Sequence, residues 1–139
     1  MRQASLLVTL AGHGRGLTEF TAEARRFLTD TGIHDGLLTV FCRHTSASLV
    51  VQENADPDVR HDLDAFFERL VPDGDPRWHH ANEGPDDMSA HVRSALTQTS
   101  LGIPVIDGRL ALGTWQGLYL WEHRTGSHRR EVLLHLIGD

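Results

Sequence analysis

Ten histidines in 139 residues set the chemical question for this chain. They are dispersed rather than gathered in a run at one end, so the question is which of them converge. Arg43-His44-Thr45-Ser46-Ala47-Ser48 places an imidazole and three hydroxyls just after the apolar run Leu37–Cys42. Further along come Asp56-Pro57, His79-His80, Asp86-Asp87 and His91. His44, His80 and His91 are expected to share one metal or anion site, with Asp87 beside it. Three neutral imidazoles suit a divalent ion of the zinc class and leave a coordination position open to water or substrate. The spacing itself matches neither a zinc finger nor HExxH. An imidazole beside a carboxylate can also move protons without a metal, as His44 with Asp87 or His91 with Asp56. A serine hydrolase built on Ser46 or Ser48 is a third arrangement, against which stands the lack of a GxSxG elbow. Arg43, Arg129 and Arg130, with Thr45 and Ser46, offer an oxyanion pocket, since guanidinium forks match phosphate. The same Arg129 and Arg130 also read as solvated turn and edge-strand residues, where charge discourages strand pairing.

The elements that must position these groups follow from periodicity. Gln3–Leu10 alternates as a strand, with Leu6, Val8 and Leu10 on one face. Gly12–Gly16 is a turn without the GxGxxG spacing of a dinucleotide site. Phe20, Ala24, Phe27 and Leu28 share a helical face that Thr18 or Thr21 caps and Gly32 ends. Gly36–Cys42 is a buried strand and Ala47–Gln52 a second one. Asp56 caps a helix with Pro57 in its first turn and the stripe Val59, Leu63, Phe66, Phe67 and Leu70 inward. The aperiodic stretch Arg77–Pro85 carries Trp78, His79, His80, Asn82 and Glu83. A helix starting near Asp86 or Asp87, with Val92, Ala95 and Leu96 inward, puts Asp87 and His91 on one face. Asp107-Gly108 joins Ile103–Ile106 to Arg109–Leu112 as a hairpin. Trp115–His123 and Arg130–Ile137 complete the β-structure. Both are apolar on two faces, which points to cover from a neighbouring subunit or to a larger core. Strands before and after inserted helices give an α+β domain spanning 1–139, with two packed sheets.

Composition narrows the classes. The 13 basic residues are all arginines and face 19 acidic ones, so the net charge of -6 argues against a nucleic-acid binder. A small phosphorylated ligand held by a few local arginines stays compatible with that charge. Cys42 is the single cysteine, which rules out an internal disulfide and fits a cytoplasmic setting. The apolar run after Met1–Ser5 is too short for a signal peptide or a spanning helix, so no membrane partner is expected.

Six ordered blocks resemble the YjbQ family: His44–Leu49, Asn54–Pro57, His80 with Glu83–Met88 and Ala90-His91, Ile103-Pro104 with Gly108–Leu110, Leu112–Gly117, and Glu122–Arg124. The resemblance runs from near the N-terminus to the end of the chain. It implies a jelly-roll-like β-sandwich of about seven or more strands with two to three inserted helices, assembled as a homotrimer. It also implies a histidine-lined site for a divalent metal such as zinc, with His44, His80 and His91 as ligands. Thr45, Ser46, Asn54, Asp56, Asp86, Asp87, Glu122 and Arg130 fall on its polar motif positions. His44, Asp56 and Asp87 are the implied catalytic groups. Asn54 and Glu122 join Arg43, Thr45, Ser46, Arg129 and Arg130 as substrate contacts. The implied activity is that of a secondary thiamine-phosphate synthase, joining hydroxymethylpyrimidine diphosphate to a thiazole phosphate with release of diphosphate. The cation and arginines would neutralise the leaving group. The alternatives are a non-catalytic module that binds a phosphorylated metabolite and a metal-assisted phosphoester hydrolase.

Overall fold

A computed structural model describes residues 1–139 and shows eight strands and three helices. In order they are β1 (Arg2–Ala11), β2 (Gly16–Glu19), α1 (Thr21–Thr31), β3 (Gly36–Cys42), β4 (Ala47–Glu53), α2 (Pro57–Leu70), α3 (Asp87–Leu96), β5 (Ser100–Ile106), β6 (Arg109–Leu110), β7 (Gln116–Glu122) and β8 (Arg129–Gly138). Two antiparallel sheets result, one of five strands in the order β1-β8-β3-β5-β6 and one of three in the order β2-β7-β4. No helix is long and apolar enough to cross a membrane.

The period-2 pattern decides which faces meet. Leu38, Val40, Leu134 and Leu136 from one sheet join Leu49, Leu118 and Leu120 from the other in a single buried cluster. Phe20, Ala24, Phe27 and Leu28 add the expected face of α1 to it. Each such side chain contributes roughly 1.5–3 kcal/mol relative to exposure, so this cluster dominates stability. The other face of the five-stranded sheet carries Leu7, Leu37 and Phe41, each left more than 40% exposed.

Several local expectations change. The turn after β1 feeds a short strand, β2, that pairs with β7. The N-cap of α1 is Phe20, without a side-chain cap, because Thr21 donates to Glu19 and accepts from the Leu118 N–H instead. Gly32 does end α1 in the left-handed conformation. The second face of β7 needs no neighbouring subunit: α2 covers it, with Phe67 edge-on to Trp121 at 4.8 Å and Arg60 over the Tyr119 ring. That cover is thin. No residue of α2 is fully buried, and Phe66 and Leu70 of its expected stripe stay exposed. In α3 the inward face is polar rather than apolar. Asp87, Ser89, Ala90 and Arg93 are buried, whereas Leu96 points outward. The β5–β6 hairpin forms as expected, with Asp107 and Gly108 at φ 53 and 73, the positive pair that an Asp-Gly turn of this kind requires.

Candidate metal centre

α3 begins where the chain emerges from the loop that follows α2, and its first residue is Asp87. A carboxylate there meets the positive end of the helix dipole. Asp87 is buried, and His91 lies one turn further on, so both side chains share a face. The loop folds back to bring His80 against them. His80 Nε2 lies 2.6 Å and His91 Nε2 3.1 Å from the same oxygen, Asp87 Oδ2. The two imidazoles stand edge to face with centroids 5.3 Å apart. One ligand atom from each of His80, Asp87 and His91 falls within 4.8 Å of the other two.

Hydrogen bonding fixes what these atoms offer. His91 Nδ1 is 3.0 Å from the Thr45 carbonyl, which can only accept, so Nδ1 carries a proton. In the neutral ring, Nε2 is then a lone pair facing a carboxylate oxygen. Two acceptors at that separation need a cation between them, either a proton or a metal ion. Asp87 Oδ1 is held by Arg124 NH1 at 2.9 Å. Arg124 also binds Asp86 through Nε at 3.0 Å and the Glu83 carbonyl through NH2 at 3.1 Å. Asp86 further accepts from the backbone N–H and hydroxyl of Thr125. One guanidinium therefore anchors the loop, the helix start and the carboxylate together.

Electrostatics agrees with that arrangement. Burial alone would raise the Asp87 carboxyl, but the His80 hydrogen bond and the Arg124 charge outweigh it and hold the group below its ordinary range. Burial likewise opposes ionisation of Asp86, and the Thr125 and Arg124 donors reverse it. Both carboxylates are thus ionised at neutral pH. The cluster opens to two concavities. One of about 340 Å³ is lined by Trp78, His80, Pro76 and Pro85 among others. A shallower one of about 320 Å³ runs past His91, His44, Thr45, Ser94 and Thr99.

The other expected site residues are placed differently. His44 lines the His91 cleft, but its Nε2 accepts the Glu131 backbone N–H at 2.7 Å, so that lone pair is not free for a metal. Burial, then the nearby Arg130 charge, lowers its pKa and keeps the ring neutral. Thr45 contributes its carbonyl to His91 and lines the cleft beside it. Glu122, Arg130 and Ser46 form a buried ion-pair network, with Arg130 Nε 2.8 Å from Glu122 Oε1 and NH2 3.0 Å from Ser46 Oγ. Arg43 pairs with Glu131 on the surface, and Arg129 is exposed at the start of β8. Asn54 and Asp56 lie beyond Glu53, the opposite end of β4 from Thr45, and seven strand residues span about 20 Å. Asp56 caps α2 by accepting from the Asp58 N–H, and Asn54 reaches toward Glu19 and the Gln116 carbonyl. Neither joins the cluster. A serine–histidine pair does form, Ser48 Oγ to His123 Nε2 at 2.8 Å, but both residues are 0% exposed and no substrate reaches them. Arg124 and Thr125 were given no role from sequence. The signals for Arg124 are its place in the Glu122–Arg124 block and the adjacent carboxylate pair Asp86-Asp87, which calls for a cation nearby.

This chain's relatives match most of its length. The family model for UPF0047 protein YjbQ-like matches residues 7–139. The chain belongs to this family. UPF0047 protein sll1880 of Synechocystis is 52% identical over 99% of this chain and 94% of its own. UPF0047 protein YjbQ of Escherichia coli O157:H7 is 44% identical over 95% of this chain and 96% of its own. The crystal structure of hypothetical protein APE1520 from Aeropyrum pernix K1 superposes with a TM-score of 0.86 at 31% identity, covering 100% of both chains. A protein of unknown function from Sulfolobus solfataricus P2 shares the fold, with a TM-score of 0.85 at 19% identity and 99% of this chain covered. These comparisons correct the functional expectation. The relatives are named only as UPF0047 proteins and the structures as hypothetical or of unknown function, so the thiamine-phosphate synthase assignment does not stand.

Proposed function

We propose that this YjbQ-family chain is a divalent-metal protein, with His80 Nε2, His91 Nε2 and the Asp87 carboxylate as its ligands. The observation that carries the reading is the His91 ring, whose Nδ1 proton is committed to Thr45 and whose Nε2 lone pair faces Asp87 Oδ2. Two imidazoles and a carboxylate are a ligand set for zinc and neighbouring first-row ions. The three ligand atoms lie within 4.8 Å of one another, close enough for one ion to reach all three. Bound there, such an ion supplies Lewis acidity toward an oxygen ligand. The chain's own groups do the rest. Thr45 sets the His91 tautomer, Arg124 orients Asp87, and the two clefts give an anionic or oxygen-bearing ligand room on either side. Carbonyl and guanidinium partners of this kind commonly orient metal ligands and tune them.

The test is metal analysis of untagged protein loaded with zinc or cobalt(II). One ion per chain is expected, lost in His91→Ala and in Asp87→Asn and kept in His44→Ala. Protein that takes up no stoichiometric ion, or that binds it equally well without His91, would sink the proposal.

We further propose that copies of the chain cover the outer face of the five-stranded sheet as a homotrimer. Leu7, Leu37, Phe41, Ile106 and Ile137 leave that face apolar and exposed. Light scattering after size exclusion should give three chain masses, and a single chain mass rejects it.

A further inference from the structure

A cleft of about 230 Å³ lies between α1 and the β5–β6 hairpin, lined by Arg25, Leu28, Thr29, Gly108, Arg109 and Leu110. It shares no residue with the metal cluster or with the clefts beside it. Leu28 and Leu110 are buried and give it an apolar floor. The Asp107-Gly108 turn starts β6 at Arg109, which pairs with Ile106, while Arg25 stands on α1 across the gap.

Arg15, Arg43, Arg77, Arg124 and Arg130 each pair with a carboxylate of the chain. Arg25 and Arg109 are among the eight that have no such partner, and they are set apart by sharing one cleft whose lining holds no carboxylate. Two arginines lining one concavity with no carboxylate among its residues suit an anionic ligand. Their neighbours define the anion further. The Thr29 hydroxyl donates to the Arg25 carbonyl at 3.0 Å, so toward a ligand its oxygen accepts. The Gly108 N–H is committed to the His34 carbonyl at 2.7 Å. Donors therefore come from the two arginines alone. Arginine forks match carboxylate and phosphate alike, and a tetrahedral group, with three or more oxygens, can engage two forks at once. A protonated oxygen of that group meets Thr29. The volume falls below the roughly 300–1,000 Å³ of sites that enclose drug-sized ligands, so the cleft takes a head group rather than a whole cofactor.

We propose that the Arg25–Arg109 cleft binds a tetrahedral oxyanion, as free phosphate or as the phosphoryl end of a small monoester. The site is independent of the metal reading and stands or falls by its own test. Inorganic phosphate is titrated into ¹⁵N-labelled full-length protein with a chelator present and ionic strength held constant with chloride. Saturable shifts at the Thr29, Gly108 and Arg109 amides are expected. Arg25→Gln and Arg109→Gln should each weaken binding at least tenfold, and Arg26→Gln, on the same helix but outside the cleft, should leave it unchanged. All three positions are exposed, and unaltered spectra elsewhere confirm folding. Glycerol 3-phosphate forms the second arm: tighter binding than phosphate assigns the site to monoesters, and equal or weaker binding assigns it to the free ion. Shifts that never saturate, or an Arg26→Gln loss equal to that of Arg25→Gln, would overturn the proposal.

Discussion

Glu122 with Arg130 and Asp87 with His80 and His91 both set a buried carboxylate against basic side chains, and they differ in what is left over. Glu122 receives two contacts from Arg130 and one from the Arg124 backbone N–H, while Arg130 also serves Ser46. Every acceptor there meets a donor of the chain, and both side chains are nearly out of contact with water. Asp87 has one oxygen satisfied by Arg124 and the other crowded by two imidazole nitrogens, one of which has its proton elsewhere. His80 and His91 also stay partly exposed. A closed network of charges is architecture. A network that leaves an imidazole lone pair facing a carboxylate, open to solvent, is a place where a ligand can enter. Both contain motif residues, so residue type alone does not tell them apart.

The comparison can be broken at several points. Removing Glu122 should do the most damage, because Arg130 would be left buried without its counter-charge. Glu122→Ala is expected to cost about 3–5 kcal/mol in a urea unfolding experiment. A loss below about 1 kcal/mol would mean that water reaches Arg130 and that the pair is not closed. Arg124→Gln should leave the fold largely intact but release Asp87, lowering metal affinity by about 10–100-fold in a competition titration with a chromogenic chelator. Unchanged affinity would detach Arg124 from the centre.

His123 sharpens the same contrast through pH. Burial, reinforced by the charges of Arg93, Arg15 and Arg130, pushes its pKa down to about 3 from 6.5. Between those values the unfolded chain binds a proton that the folded chain refuses. Its contribution therefore makes stability fall as pH drops from about 6.5 toward 3, with a slope of up to about 1.4 kcal/mol per pH unit. His123→Gln should flatten that part of the urea-midpoint profile, and an unchanged slope would place the sensitivity elsewhere. The smallest effect is expected from Asp56→Ala. Loss of the α2 cap should cost about 1 kcal/mol with no change in metal stoichiometry. A change in bound metal would bring Asp56 back into the centre, against its position at the far end of β4.

Much of the scaffold was legible because its signals are local. The apolar alternation of β3 and β8, the Asp56-Pro57 start of α2, the Gly32 stop of α1 and the Asp107-Gly108 hairpin each depend on a few neighbouring residues. The pairing of Asp87 with His91 was legible for the same reason, since four residues make one helical turn. β2 was missed because four residues in a glycine-rich stretch carry too little pattern. The inward face of α3 was misjudged because Arg93 is buried by reaching the Val71 carbonyl, a partner that no periodicity announces.

The family, most of the succession of strands and helices, and the short list of side chains able to bind a cation are legible in the amino-acid sequence. Which of them come together follows from tertiary packing. His44 and His91 look alike in the chain, but a lone pair is spent or spared according to the backbone group that meets it. For His44 that group is an N–H 87 residues away, and it takes Nε2. For His91 it is a carbonyl 46 residues away, and it takes the Nδ1 proton and leaves Nε2 facing Asp87. Such contacts join distant strands and loops, so they exist only once the sheets have packed.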